Sequence, residues 1–201
     1  MVSSILNNNS PENNYSNNEF VNTYGAYMLL AILRMLSNDV DKLLRFVSNR
    51  TIISFIETRG LPQTLDILRR LSNDVDKLLQ FVSNNAIISF IETRGLPQTL
   101  EITHSVYNDV DKLSQFVSNH AIITFIVTHG IPQTLNILRR LSNDVDKLLQ
   151  FVSNRSIISF AVARGIPQTL ELFRRMANVD ELSRFLANRD IISFIETRRI
   201  L

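Results

Sequence analysis

The chain of 201 residues contains no cysteine and no tryptophan, and it has only five glycines and five prolines. Without cysteine, disulfides, thiolate metal sites and thiol redox chemistry are excluded. The longest apolar run, AYMLLAIL at 26–33, is far shorter than the roughly 20 residues that span a bilayer. No basic segment precedes an apolar one at the amino terminus. These absences predict a soluble protein without a membrane partner and favour the cytoplasm or nucleus.

Two regions differ in composition. The first 23 residues include the run NNNSPENNYSNN, carry only acidic charge and show no apolar period. Such a composition predicts a flexible Asn-rich tail over 1–23. The remainder is apolar enough to form a core, and no segment alternates with a period of two, so an all-α domain is predicted over 24–201.

The sequence repeats every 35 residues. The element Gly-(Leu/Ile)-Pro-Gln-Thr-Leu begins at positions 60, 95, 130 and 165. A Ser-Asn or Ala-Asn element places its asparagine at 49, 84, 119, 154 and 188, with one residue deleted before the last copy. This regularity indicates a tandem array whose units pack mainly on their neighbours. The sequence therefore predicts a right-handed α-solenoid, or superhelix, of about four and a half units.

Each unit is predicted to contain three short helices. The segment NDVDKLLQFV places apolar residues at the i, i+3, i+4, i+7 spacing of one buried helix face, with Asn73 or Asp74 as its cap. AIISFIETRG is predicted to be the second helix, ended by Gly95 in a left-handed conformation. Pro97 is predicted to be the first residue of the third helix. The first unit is predicted to begin near Tyr24.

Motifs typical of enzymes and metal sites are missing. The sequence has no nucleophile elbow, Walker loop, dinucleotide fingerprint or acid/base pair, so no catalysis, cofactor or small-molecule substrate is predicted. The Asp-Val-Asp pairs lack the glycine and further oxygen ligands of a calcium loop, and they are predicted to cap helices. His104, His120 and His129 form no i, i+4 pair, and no metal site is predicted.

The charge of the repeat region weakly favours an anionic partner. Two of the 19 acidic residues lie in the tail, so the repeats carry 21 basic and 17 acidic side chains, and 17 of the basic ones are arginine. Guanidinium forks suit phosphate and carboxylate better than lysine does. The Arg-Arg pairs of the third helices, such as Arg69 and Arg70, either form ion pairs with an acid such as Asp66 or contact phosphate.

The units resemble the DNA-binding repeats of transcription activator-like (TAL) effectors. The shared features are a short helix, a Ser-Asn turn followed by a variable residue, and a longer helical segment interrupted by proline. In that family the asparagine steadies the turn and the next residue reaches a base in the major groove. The resemblance implies turn-stabilising roles for Asn49, Asn84, Asn119, Asn154 and Asn188. It implies base contacts for five residues that we call the variable residues: Arg50, Asn85, His120, Arg155 and Arg189.

A second register of the same resemblance is possible. It aligns IISFIETRGLPQTL with the family's first helix, turn and second helix, which makes Arg59, Arg94, His129 and Arg164 the base-contacting residues. In either register, the arginine and glutamine of the Arg-Gly-Leu/Ile-Pro-Gln-Thr element lie near a helix amino terminus, where anions are attracted. This element supplies either phosphate contacts or an ordinary turn. The candidate phosphate contacts are Arg59, Gln63, Arg94, Gln98, Gln133, Arg164 and Gln168.

Two other families show weaker similarity. ISFAVARGIPQTLELFRRM resembles a pentatricopeptide repeat, and ISFIETRGLPQTLDILRRL resembles a mitochondrial transcription termination factor repeat. Both resemblances, with the variable turn residue, predict modular binding of nucleic acid, with double-stranded DNA favoured over RNA. The alternative is a protein-interaction scaffold of the HEAT or armadillo kind, which the small net charge favours.

Overall fold

A computed structural model describes residues 11–176, 178–188 and 190–193. The described part consists of helices and short connections without a strand, which confirms the all-α prediction. It contains fourteen helices. They are α1 Pro11–Met35, α2 Val40–Ser48, α3 Arg50–Arg59, α4 Leu61–Arg70, α5 Val75–Ser83, α6 Asn85–Arg94, α7 Leu96–Ser105, α8 Val110–Ser118, α9 His120–His129, α10 Ile131–Arg140, α11 Val145–Ser153, α12 Arg155–Arg164, α13 Ile166–Arg174 and α14 Val179–Ala187.

Each repeat contributes three helices, as the sequence predicts. We call them the first helix (such as α5), the second helix (such as α6) and the third helix (such as α7). The first helix of one repeat packs on the second helix of the repeat before it, as α5 does on α3, α11 on α9 and α14 on α12. Neighbouring repeats therefore bury one another's apolar faces, which is how units too small to fold alone become stable.

The helices form two compact units, each with its own core. One ends at Thr103 and includes 108–110, and the other comprises 104–107 and the described residues from Asp111 onward. A phenylalanine of the first helix is fully buried in four repeats, as Phe46 and Phe81 are in the first unit and Phe116 and Phe151 in the second, whereas Phe185 of α14 is half-buried. Among the described residues, these four rings are the largest side chains that are fully buried.

The turn between a third helix and the next first helix uses two residues with positive φ. Ser72 has φ 61° and Asn73 has φ 58°. The Asn73 N–H donates to the Leu68 carbonyl at 2.9 Å, which closes the helix end in the manner of a Schellman motif. Asp74, and not Asn73, caps the following helix, because its Oδ1 accepts from the N–H groups of Asp76 at 2.9 Å and Lys77 at 3.1 Å.

Glycine separates the second helix from the third. Gly95 has φ 87° and ψ 155°, a conformation that L side chains rarely adopt, and its N–H donates to the Ile91 carbonyl at 2.8 Å. Its φ is positive as predicted, but its ψ is that of extended backbone. The third helix begins at Leu96, so the prediction of Pro97 as its first residue is wrong by one position. Proline is tolerated there because the first four N–H groups of a helix lack intrahelical partners.

The repeat pattern extends ahead of Tyr24. Helix α1 begins at Pro11, inside the segment 1–23 that the sequence predicts to be a tail, and residues 1–10 lie outside the described residues. Within α1, Gly25 has φ 79° and ψ 160°, the conformation that Gly60 adopts 35 residues later. Phe20 is 3% exposed and precedes the buried Phe55 by the same 35 residues.

Helix α1 therefore occupies the places of a second and a third helix on either side of Gly25. The ring of Phe20 lies 6.3 Å from that of Phe46 in an edge-on arrangement and 4.7 Å from that of Tyr24, measured between centroids. This packing gives the Asn-rich segment an apolar anchor. Asparagine and serine elsewhere in the segment replace the apolar residues of the other second helices, which hides the pattern in the sequence.

Candidate nucleic-acid interface

An asparagine caps each second helix that follows a Ser-Asn or Ala-Asn element. Oδ1 of Asn49 accepts from the N–H groups of Thr51 at 3.0 Å and Ile52 at 3.2 Å. The same two bonds, at 3.0 to 3.2 Å, form at Asn84, Asn119, Asn154 and Asn188. An asparagine cap fixes the first helical turn. The residue after it is consequently held as the first residue of the helix.

Four of the five variable residues occupy this first helical position. They are Arg50, Asn85, His120 and Arg155, which open α3, α6, α9 and α12, and all four side chains are exposed. The fifth, Arg189, lies outside the described residues. The first turns of these four helices contain no acidic residue, whereas the first helices carry an aspartate there.

The candidate phosphate contacts lie at the opposite end of the second helix. Arg59 is the last residue of α3, and Gln63 is the third residue of α4, just beyond Gly60. A ten-residue helix places its ends about 14 Å apart at 1.5 Å per residue. The structure therefore brings Arg59 and Gln63 to one bend and separates both from Arg50. Arg94, Gln98, Gln133, Arg164 and Gln168 have the same places in their repeats.

Two residues of the second register have intramolecular partners. Arg59 Nη2 lies 3.6 Å from Glu92 Oε1, and the Arg59 side chain is 33% exposed. The His129 ring stacks on Phe125 at a centroid distance of 4.2 Å. Its Nδ1 also lies 2.7 Å from the Thr128 hydroxyl. The two residues therefore have structural roles at the ends of α3 and α9.

The threonine of the Pro-Gln-Thr element is structural, a role that the sequence did not reveal. Thr64 is fully buried, and its hydroxyl donates to the Gly60 carbonyl at 3.0 Å. Thr99, Thr134 and Thr169 repeat this bond to their own glycines at 2.9 to 3.0 Å. The neighbouring Gln63, Gln98, Gln133 and Gln168 are exposed. The recurrence of threonine in all four copies was the available signal.

The Arg-Arg pairs differ in their partners. Arg70 Nε lies 3.5 Å from Asp66 Oδ2 on the same helix. Arg174 and Arg175 both contact Glu171 Oε1, at 3.1 and 3.2 Å. The hydrogen bond from Arg174, followed by that from Arg175, holds the pKa of the Glu171 carboxyl below its usual range. In α10 the residue at the place of Asp66 is Asn136, which offers no charge to the arginines beside it.

The Asp-Val-Asp aspartates link repeats as well as capping helices. Asp39 Oδ1 accepts from the Lys42 N–H at 3.0 Å, a capping bond. The second aspartate of a pair accepts a hydrogen bond from a side chain on the first helix of the preceding repeat. Arg45 Nη1 donates to Asp76 Oδ1 at 2.7 Å, and Gln115 Nε2 donates to Asp146 Oδ1. These contacts join first helices across repeats and were not predicted.

Comparisons with protein families, with curated proteins and with solved structures give no match. Among the described residues there is no group of three or more histidine, cysteine, aspartate or glutamate side chains that could hold a metal ion. None of the helices in the described ranges combines the length and the apolar character needed to cross a membrane.

Proposed function

We propose that the chain binds nucleic acid, with duplex DNA favoured over RNA, through the exposed residues that open its second helices. The observation that carries this proposal is the recurrence of one variable, exposed residue per repeat directly after the asparagine cap, at Arg50, Asn85, His120 and Arg155. Arginine pairs bidentately with guanine and asparagine with adenine in the major groove. The resemblance to TAL-effector repeats supports the same assignment.

Helix stability does not account for the arginines. Arg50 and Arg155 lie at the positive ends of the helix dipoles of α3 and α12, where a cation is unfavourable by about 0.3–1 kcal/mol. The dipole favours aspartate at such a place, and the first helices carry it. Arg50 and Arg155 are exposed cations at a place where the helix dipole favours a negative charge. A contact with an anionic or guanine-bearing ligand explains why arginine occurs there.

The first register of the resemblance is favoured over the second. In the second register Arg59 and His129 would contact bases, but Arg59 pairs with Glu92 and His129 stacks on Phe125. The major groove is about 8.5 Å deep, less than the length of a ten-residue helix. If the amino terminus of a second helix enters the groove end-on, its carboxyl end stays outside. The residues of the Arg-Gly and Pro-Gln-Thr elements then form the turn between the second and third helices, and they do not contact the phosphates that line the major groove.

The proposal includes the right-handed superhelix expected from the repeats. Packed helices lie about 8–10 Å apart, whereas successive bases rise about 3.4 Å. One residue per repeat meets successive bases only if the repeats wind around the duplex. The four described variable residues correspond to a short site, so the binding should be weak or poorly specific.

A second function, protein interaction, is favoured by a different observation. Val127 of α9 and Val162 of α12 are 64% and 71% exposed. The same place in α3 and α6 carries Glu57 and Glu92. Exposed valines on an otherwise polar helix face indicate a small apolar contact surface.

A gel-shift titration with random-sequence duplex DNA, duplex RNA and single strands at about 50 mM salt tests the proposal, since phosphate contacts are strongest at low salt. We expect duplex DNA to be shifted at lower protein concentration than RNA. The variant Val127→Glu/Val162→Glu, which introduces the glutamates of α3 and α6, is expected to weaken DNA binding less than Arg50→Gln/Arg155→Gln, because it alters charge away from the variable residues. Absence of a shift with every nucleic acid would contradict the proposal and leave protein interaction as the remaining function.

A further inference from the structure

A cavity of about 380 Å³ opens in the second compact unit. The end of α10, the start of α11, helix α13 and the turn after it form its walls. Its volume falls in the range of about 300–1,000 Å³ that is typical of small-ligand pockets. The sequence predicts no small-molecule ligand, and none of the variable residues lines this cavity.

Three cations lie around the cavity, and its lining contains no carboxylate. The cations are Arg140, Lys147 and Arg174. Lys147 Nζ lies 3.6 Å from Asp144 Oδ2, and Arg174 Nη2 lies 3.1 Å from Glu171 Oε1. Exposed ion pairs of this kind contribute about 0–1 kcal/mol, so an incoming anion can compete for both cations. Within the described part of the chain, no acidic side chain pairs with Arg140.

At two positions near the cavity, an asparagine stands where other repeats carry an acidic residue. In α4, Asp66 neutralises Arg70, but in α10 the corresponding residues are Asn136 and Arg140. The one-residue deletion before α14 also changes the cap. Asn178 caps α14 by accepting from the Glu181 N–H at 2.8 Å, at the place where an aspartate caps α5 and α11. The cavity therefore gains positive potential from the change at Asn136. At the start of α14 the loss of the aspartate is offset by Glu181, which stands where α11 carries Lys147.

The floor of the cavity is apolar. Leu170 is 7% exposed, while Phe173 and Met176 are half-buried beside it. Phe173 replaces the fully buried Leu138 of the preceding repeat, and its ring meets that of Phe151 edge-on at 6.4 Å. An aromatic side chain at this place gives a flat ligand a surface on which to pack.

We propose that this cavity binds an organic phosphate of nucleotide size. The phosphate contacts Arg140, Arg174 and Lys147, and the apolar body lies on Leu170, Phe173 and Met176. A phosphate monoester carries about −1.5 to −2 charges at neutral pH and offers three acceptor oxygens, which match three cationic donors. The site goes beyond the proposed nucleic-acid function and does not depend on it.

The test is a fluorescence titration of the full chain with adenosine monophosphate (AMP) that carries an N-methylanthraniloyl group on its ribose. We expect saturable binding that unlabelled AMP displaces, that inorganic phosphate displaces less well, and that adenosine does not displace. Arg140→Gln is expected to weaken binding on the order of tenfold, the loss of one charge-assisted hydrogen bond. Asn136→Asp is expected to weaken it several-fold, because aspartate at that place pairs with the arginine one turn later, as Asp66 does with Arg70.

Matched variants keep the test decisive. Arg70→Gln removes the corresponding arginine from the first compact unit and should leave AMP binding unchanged. Arg50→Gln/Arg155→Gln should also leave it unchanged, so failure of this site and failure of the proposed function are distinguishable. If AMP displaces the labelled nucleotide better than a 5′-phosphorylated trinucleotide does, the ligand is a free nucleotide. If the trinucleotide displaces it better, the ligand is the end of a nucleic-acid strand. Both results support the site. No saturable binding up to about 1 mM, or binding that Arg140→Gln and Asn136→Asp leave unaltered, would overturn it.

Discussion

Replacement of Phe151 with alanine is expected to lower the free energy of unfolding by about 3–5 kcal/mol. Phe151 is 0% exposed and contacts Phe173 edge-on, so its removal leaves a cavity where the first and third helices of one repeat meet. Because stability in a repeat array depends on contacts between neighbours, the loss should affect the whole second compact unit. Urea unfolding followed by circular dichroism at 222 nm measures the change.

The control for this variant lies on the same helix. Ser153 ends α11 and is exposed, so Ser153→Ala should change the free energy of unfolding by no more than about 0.5 kcal/mol. A loss below about 1 kcal/mol for Phe151→Ala would show that the buried phenylalanine of the first helix does not stabilise the packing of its repeat.

The double substitution Arg50→Gln/Arg155→Gln is expected to weaken binding to guanine-containing duplex DNA by about 2–6 kcal/mol, or thirtyfold and more. Each bidentate arginine–guanine pair accounts for about 1–3 kcal/mol of discrimination. Both side chains are exposed at first helical positions, so the substitutions remove charge and donors without altering the core. Fluorescence anisotropy with a labelled duplex, at a fixed salt concentration, gives the two affinities.

A charge-matched pair separates base contact from general attraction to DNA. Arg69→Gln/Arg139→Gln removes two exposed arginines from third helices and changes the net charge by the same amount. We expect this variant to lose less affinity than Arg50→Gln/Arg155→Gln. Equal losses in the two variants would indicate non-specific electrostatic binding and would contradict a special role for the variable residues.

Local patterns were sufficient to predict the helices. The 35-residue period, the apolar spacing of the first helix and the glycine before Leu-Pro gave three helices per repeat with ends close to those observed. The predicted start of the third helix was wrong by one residue because proline is tolerated at more than one position of the first helical turn. The i, i+3, i+4, i+7 spacing predicts a buried face of Val75, Leu78, Leu79 and Val82 in α5. The structure buries Val75, Leu78 and Val82 together with Phe81 and leaves Leu79 half-buried, because the helices that pack on α5 decide which face is covered.

Contacts between repeats could not be predicted in the same way. The bond from Arg45 to Asp76 depends on how successive first helices are placed, which spacing along the chain does not specify. The repeat-like role of Phe20 was hidden because Asn17 and Asn18 stand where α3 carries Ile52 and Ile53. The residues of this segment that keep the pattern are Phe20, Val21, Thr23 and Gly25.

For the candidate interface, the sequence indicated the variable positions. The cap geometry showed that the four described ones, Arg50, Asn85, His120 and Arg155, open helices with exposed side chains. Arg140 of the phosphate cavity lacks an acidic partner because Asn136 stands where α4 carries Asp66. This difference becomes informative only when the third helices are compared and the cavity is known.

The most direct test of the central claim, that one residue per repeat contacts a base, is selection of randomised duplex DNA followed by sequencing, with the unsubstituted chain and with Asn85→Arg. The substitution introduces the residue that Arg50 and Arg155 already place at this position, so the fold should accept it. We predict that the preferred base changes from adenine to guanine at one position of the selected site, with the other positions unaltered. An unchanged preference, or the absence of any preferred sequence for either protein, would contradict the account.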